Sequence, residues 1–347
     1  FFFKQKTAYE IGTGDWSSDV CSSDLYADRY DNIFYVSNGK IPFRDSKFDW
    51  KKTLPGNTFR TLTEEYHKFE DLPQLTNPSS GYLFNTNNSA YSASAAQDNL
   101  SFDDFDSTMG YQLHENNRSI RFMQLMEEYD TITWENFLSI KYDATLPDSL
   151  YYNINVNAVF RMDPLLAGKA APTVRILQKW NRSSELNEIG AAHFNEFYFH
   201  LMSKKKWIDV DEVKAVQMIA SLHYAHEKLL NNFGKIEVTL GEYQFLVRGD
   251  KTLPIRGLGD VLAAMYSRPY KEGKVKGVAG DSYIMLVRYP SKGLPIIETV
   301  NSYGASNRSE SPHYADQMNM FVNQERKQMT LDIDLVRNQA ERIYHPK

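Results

Sequence analysis

The segment Asn77-Pro78-Ser79-Ser80-Gly81-Tyr82-Leu83-Phe84-Asn85-Thr86-Asn87-Asn88-Ser89 concentrates the groups most able to do chemistry. Its asparagines surround a glycine-led apolar stretch, and an amide that is buried without a partner loses about 1–3 kcal/mol. These amides must therefore bond the backbone, as in an Asx-rich turn, or a ligand. In the second case a side-chain N–H aimed at a carbonyl oxygen that becomes an oxyanion would serve acyl transfer. The residues by themselves leave both readings open.

Other motifs carry less chemistry. His223 and His226, within His223-Tyr224-Ala225-His226-Glu227, are spaced as two ligands on a helix could be, but the order is not HExxH and no third ligand accompanies them. They read as a structural pair, and His193 and His200 on an aromatic helix read as packing or surface residues. Gly257-Leu258-Gly259 lacks the third glycine of a dinucleotide fingerprint, and neither GxxxxGK[ST] nor GxSxG occurs. Nucleotide binding and a serine elbow are therefore unsupported.

The elements that must position the asparagines follow from pattern. Ile33-Phe34-Tyr35-Val36, Asn38-Gly39 and Lys40-Ile41 predict a type I′ hairpin. Tyr82-Leu83-Phe84 predicts a short strand that delivers the asparagine-rich loop. Ile120, Met123, Met126 and Tyr129 recur on one helical face, and Thr133 reads as an N-cap with Ile132 and Phe137 as its hydrophobic staple. Helices are expected over 174–180, 186–202 and 211–231, with Phe194, Phe197, Tyr198 and Leu201 as a buried face of the second. Strands follow over 243–247, 283–289 and 296–300, then amphipathic helices over 313–329 and 332–344. Strands, helices and strands again predict an α+β fold in one interlocked domain.

The chain has 347 residues, 42% of them hydrophobic and 24% charged, enough to bury a substantial core. Its 39 basic and 44 acidic residues leave a net charge of -5, and the longest basic run is Lys204-Lys205-Lys206, so a nucleic-acid surface is disfavoured. No apolar run approaches the roughly 18 residues needed to cross a bilayer. Cys21 is the single cysteine, which excludes an internal disulfide. Residues 1–25 show neither helical nor strand periodicity and resemble translated sequencing-adapter sequence. They are set aside as non-native, leaving 26–347 as the domain.

The stretch NPSSGYLFNTNN resembles the NPxxGYxxxxNN signature of the penicillin acylase family, N-terminal-nucleophile hydrolases that include penicillin amidases and acyl-homoserine lactone acylases. Further landmarks lie in order: Ile41-Pro42-Phe43-Arg44, Arg118 at a helix start, Leu253-Pro254-Ile255-Arg256-Gly257 before Asp260, Gly280-Asp281-Ser282-Tyr283, and Ser311-Pro312-His313-Tyr314-Ala315-Asp316-Gln317. The likeness runs from about Tyr26 to the C-terminus.

The resemblance implies the C-terminal part of a β chain from a periplasmic or secreted precursor, in an αββα sandwich completed by an α chain. Its nucleophile would be a β-chain N-terminal serine with its own amino group as base, acting on amides of the penicillin or N-acyl-homoserine lactone type. Asn87 matches the oxyanion-hole asparagine. Arg118 matches an arginine that orients substrate and the catalytic amide, though it also reads as an ordinary helix-start arginine. Asp98 falls where a calcium-ligating aspartate is found, with Asp103, Asp104 and Asp106 in an insertion before Arg118. Calcium would be structural, and no organic cofactor is implied. His313 and Asp316 read as caps of the helix they precede. The serine and the backbone N–H that completes the oxyanion hole would lie far upstream of Asn87, so this chain is expected to be inactive alone, to need the upstream β-chain segment and the α chain as partners, and to expose sheet faces. The competing reading is a non-catalytic module that binds a glycan or peptide through the asparagine-rich loop and tyrosines.

Overall fold

A computed structural model describes residues 22–204 and 213–344. Cys21, Lys205 and Lys206 lie outside the described residues, as does most of the segment set aside above.

The chain opens in an antiparallel sheet of β1 (Ser22–Ala27), β2 (Ile33–Asn38) and β3 (Gln74–Thr76), with β2 in the middle. Residues 22–25 thus belong to a strand. The expected hairpin across Asn38-Gly39 does not form. Both edges of β2 are already taken, and the Ser37 N–H donates to the Pro73 carbonyl at 2.8 Å. Ile41 instead buries its side chain with Val36, Leu72 and Met109. Tyr82-Leu83-Phe84 is likewise not a strand. Its apolar character comes from burial of Leu83 and Phe84, and it is tied across by Phe84 N–H to the Ala93 carbonyl (2.9 Å) and by Ser94 Oγ to the Tyr82 carbonyl (2.8 Å).

Two helices follow, α1 (Asn117–Glu127) and α2 (Trp134–Lys141). In α1 the stripe of Ile120, Met123 and Met126 is only half-buried, whereas Asn117, Ser119 and Leu125 are buried. Polar burial at a helix start requires partners from elsewhere, which the candidate site supplies. Tyr129 falls beyond the helix, whose last turn tightens as Glu128 N–H bonds the Leu125 carbonyl. Thr133 caps α2 as expected, accepting from Asn136 N–H at 3.2 Å.

The helical core is built from α3 (Ala171–Lys179), α4 (Gly190–Lys204) and α5 (Ala215–Phe233). Val174, Leu177, Phe194, Phe197, Leu201, Leu222 and Leu229 interlock there, and Phe194 stacks on Tyr198. A Cβ on Gly190 would lie 2.2 Å from the Trp180 ring, so the first turn of α4 can approach that indole only as glycine. Each of the three expected helices is present, with starts shifted by a few residues.

His193 is fully buried in α4, with Nε2 2.7 Å from the Ile236 carbonyl and Nδ1 without a partner. Because a carbonyl only accepts, Nε2 carries a proton, and a second proton on the buried, partnerless Nδ1 is disfavoured, so the ring is neutral. Burial pushes its pKa down to about 4 from 6.5. The unfolded chain then binds the extra proton between those values, so stability is complete above pH 6.5 and falls as pH drops toward 4, by about 3 kcal/mol in total. Urea unfolding of His193→Gln across pH 7 to 4.5 is expected to lack this part of the slope.

The remaining strands make two sheets. After α6 (Leu240–Tyr243), β4 (Gln244–Arg248), β5 (Lys251–Pro254), β6 (Met265–Pro269) and β7 (Val275–Gly280) assemble in the order β5-β4-β7-β6, with β4 and β7 parallel. β8 (Tyr283–Arg288) pairs with β9 (Ile296–Asn301), close to the expected bounds. The long closing helix is not observed. Its pattern is met by a short α7 (Met318–Val322), which ends before Gln324 at φ 58°, and β10 (Lys327–Met329) then pairs with the free edge of β9. Only Ile333–Gln339 of the last expected helix is helical, as α8. Leu246, Ile284, Leu286, Val300, Met318 and Phe321 form the core here, with Phe137 and Leu138 of α2 against it. The element order is α+β, as predicted.

Between helical core and sheets runs the loop that closes the site. Gly257 sits at φ 92°, where a Cβ would lie 2.3 Å from the Ala263 carbonyl. The buried Gln244 amide donates to the Ile255 and Gly257 carbonyls and accepts from Ser267 Oγ. This folded-back loop presents Asp260, itself left-handed at φ 68°, toward the start of α1.

Candidate active site

The asparagines divide by what their amides do. Asn77, at φ 46°, accepts from Ile33 N–H (2.8 Å) and donates to Asn32 Oδ1, joining its loop to β2. Asn85 Oδ1 accepts from the Asn87 N–H at 2.7 Å. Asn88 Oδ1 accepts from Thr86 N–H (2.8 Å) and Oγ1, and its Nδ2 donates to the Ser92 carbonyl at 2.5 Å. These three build the loop, as an Asx-rich turn would.

Asn87 differs. It occupies the left-handed region at φ 61°, which asparagine tolerates better than other non-glycine residues, and its side chain is exposed. Its Oδ1 accepts from Arg118 Nη1 at 3.1 Å. A guanidinium has donors only, so the amide oxygen must face it and Nδ2 must point away. No described residue accepts from that Nδ2. An amide N–H is thereby held outward with its orientation decided by chemistry.

The support beneath comes from α1. Asn116 is its N-cap, exchanging bonds with Ser119 while its Nδ2 donates to the Thr86 carbonyl at 2.9 Å, which fixes the asparagine loop to the helix start. Phe122 of α1 stacks on Phe84 at 4.4 Å. Arg118, about one-fifth exposed, donates Nε to Asp260 Oδ1 at 3.0 Å. Asp260 Oδ2 accepts from Asn117 N–H (3.0 Å) and Nδ2 (2.7 Å), and Asn117 Oδ1 accepts from Tyr151 N–H. Three tyrosines stand near this carboxylate. Burial first, with the Asp260 charge adding to it, raises Tyr152, Tyr198 and Tyr266, so all are neutral phenols at physiological pH.

The structure thus joins Asn87 to Arg118, two residues singled out from the sequence, and adds Asp260, Asn116 and Asn117. Asp260 lies 142 residues beyond Arg118, and no local pattern marks it as the partner.

Asp98 does something else. Its Oδ1 accepts from Ser79 N–H (3.1 Å) and Oγ (2.7 Å), and its Oδ2 from Ser80 N–H (2.8 Å). These bonds, the Ser79 hydroxyl foremost, hold its carboxyl down at about 2. Among the described residues no three His, Cys, Asp or Glu side chains gather around it. In this arrangement the Asp98 carboxylate ties down the Ser79-Ser80 turn. Asp103 and Asp104 sit in a 3-10 turn that Ser101 caps, and Asp106 caps the next.

Two of the histidines join neighbouring helices. His226 turns inward to Thr173 Oγ1 (3.1 Å), while His200 bonds Ser221 Oγ and stacks on Tyr224. His313 and Asp316 do not cap α7, whose N-cap is Gln317. They pair with each other at 2.9 Å, and Glu341 lies 3.6 Å from His313 Nε2.

The penicillin amidase family profile matches residues 15–338. Among solved structures, a thermostable penicillin G acylase from Alcaligenes faecalis superposes with a TM-score of 0.53 at 15% identity, covering 93% of this chain and 67% of that one. Likeness at that identity shows a shared fold. No helix among the described residues is long and apolar enough to cross a membrane.

Proposed function

The chain belongs to the penicillin amidase family, whose members are amide hydrolases, and on that premise we propose that it supplies the oxyanion-stabilising half of an acylase active site. The reaction is hydrolysis of a linear N-acyl amide, of the penicillin or N-acyl-homoserine lactone type. A serine at the N-terminus of a β chain, outside this chain, attacks the acyl carbonyl while its amino group takes the proton. The carbonyl oxygen becomes an oxyanion, and Asn87 Nδ2–H donates to it. Arg118 holds the Asn87 amide and adds positive charge nearby. The observation that carries this reading is the Arg118 to Asn87 Oδ1 bond, which leaves Nδ2 as the outward donor.

The same reading makes the chain part of an αββα sandwich whose precursor is exported and processed into two chains. The proton taken by the serine's amino group passes to the departing amine as the C–N bond breaks, and water then releases the acyl group from the serine.

The test is reconstitution. The chain co-refolded with the serine-bearing upstream β-chain segment and the α chain of its precursor is expected to release amine from phenylacetyl or long-chain acyl amides, and the chain by itself is expected not to. A correctly assembled complex that cleaves neither class would overturn the proposal.

A further inference from the structure

Asp260 is 8% exposed, and its carboxylate accepts from three donors on two consecutive residues of α1, Asn117 and Arg118. A carboxylate at a helix start is an ordinary stabilising device. Here the geometry goes further, because Arg118 spans two partners at once. Its Nε is on Asp260 and its Nη1 on Asn87. A guanidinium is planar and rigid, so anchoring Nε fixes the direction in which Nη1 can donate. The backbone that brings Asp260 to this point is left-handed, in a loop that Gly257 and the buried Gln244 fold tightly.

We propose that Asp260 is a positioning residue for the oxyanion donor: through Arg118 it sets the orientation of the Asn87 amide, and without it the outward N–H swings free. This inference rests on the assignment of Asn87 made above. Asp260 touches no substrate. It aligns the group that does.

Asp260→Asn is the first test, since an amide in that place turns an NH2 toward donors it cannot satisfy. In this chain the Asn87 side-chain 15N–1H2 signal, assigned by its loss in Asn87→Ala, is expected to shift, with faster amide exchange. Arg118→Lys is the second, because an ammonium cannot bridge both partners while the Asp260 bonds to Asn117 remain. It is expected to move the same signal, and it keeps the test open if Asp260→Asn does not fold. In the reconstituted acylase, Asp260→Asn is expected to lower kcat about 100-fold with little change in KM, as a misplaced catalytic group does. A purely structural Asp260 would lower the thermal midpoint and leave the Asn87 signal and the kcat of the folded fraction in place, which overturns the proposal. An unchanged signal in Arg118→Lys overturns it too. If the signal moves but Asn87→Ala keeps full kcat, the positioning stands and the catalytic assignment of Asn87 fails.

Discussion

Replacing Asn87 with alanine in the assembled acylase is expected to lower kcat about 100- to 1,000-fold while KM changes little. The neutral carbonyl of bound substrate gains little from the Nδ2 donor, whereas the oxyanion gains a great deal, so the loss falls on the transition state. Alanine also brings its own strain. At φ 61° a Cβ without a polar side chain costs about 1–2 kcal/mol, which could lower activity through the loop. Asn87→Gly separates the two effects, since glycine accepts that backbone without strain. Both variants should lose the same factor in kcat if the amide is what matters. Asn87 is exposed, so folding of Asn87→Gly should be nearly unaffected. Wild-type kcat in Asn87→Gly would remove Asn87 from the oxyanion hole.

The largest expected effect on stability lies elsewhere. Glu196 is 1% exposed in the helical core, with Lys228 Nζ at 2.7 Å and the Tyr243 hydroxyl at 2.5 Å, and Asn195 Nδ2 donates to that same hydroxyl. Tyr243 titrates well above its ordinary value because it is buried and faces the carboxylate. Lys228→Met leaves this carboxylate buried without its cation, at a cost of about 3–5 kcal/mol. The loss should shrink as pH falls, because a stranded carboxylate escapes by taking a proton. Adding Glu196→Gln removes the charge while an amide oxygen still accepts from Tyr243, and should restore most of the stability. Urea midpoints at constant m-value for both variants measure this. A Lys228→Met protein within 1 kcal/mol of wild type would show that the buried pair is already solvated.

Local chemistry made parts of this protein legible in its sequence. The helices with dense apolar faces appear within a few residues of their expected places, because side chains such as Phe194, Phe197 and Leu201 recur at helical spacing and bury together in one core. Thr133 caps α2 because its hydroxyl needs only a neighbour three residues on. The failures share the opposite cause. Asn38-Gly39 carries a hairpin signal, yet strands from 22–27 and 74–76 claim both edges of β2 first. The helix expected over 313–329 breaks because the free edge of β9 takes residues 327–329 into a sheet.

The same division runs through the candidate site. Residue type and spacing marked a cluster of carboxamides beside a tight turn, which is a local property, and the resemblance of that stretch to the penicillin acylase signature singled out Asn87 and Arg118 within the chain. Which of the clustered asparagines is left to donate was decided only in three dimensions. Asn77, Asn85 and Asn88 bond the loop itself, while Asn87 is turned outward by Arg118. Arg118 in turn bonds Asp260, 142 residues further along the chain, on a loop folded back at Gly257. A contact across such a separation leaves no periodicity or spacing to read, so only packing of the folded chain could decide it.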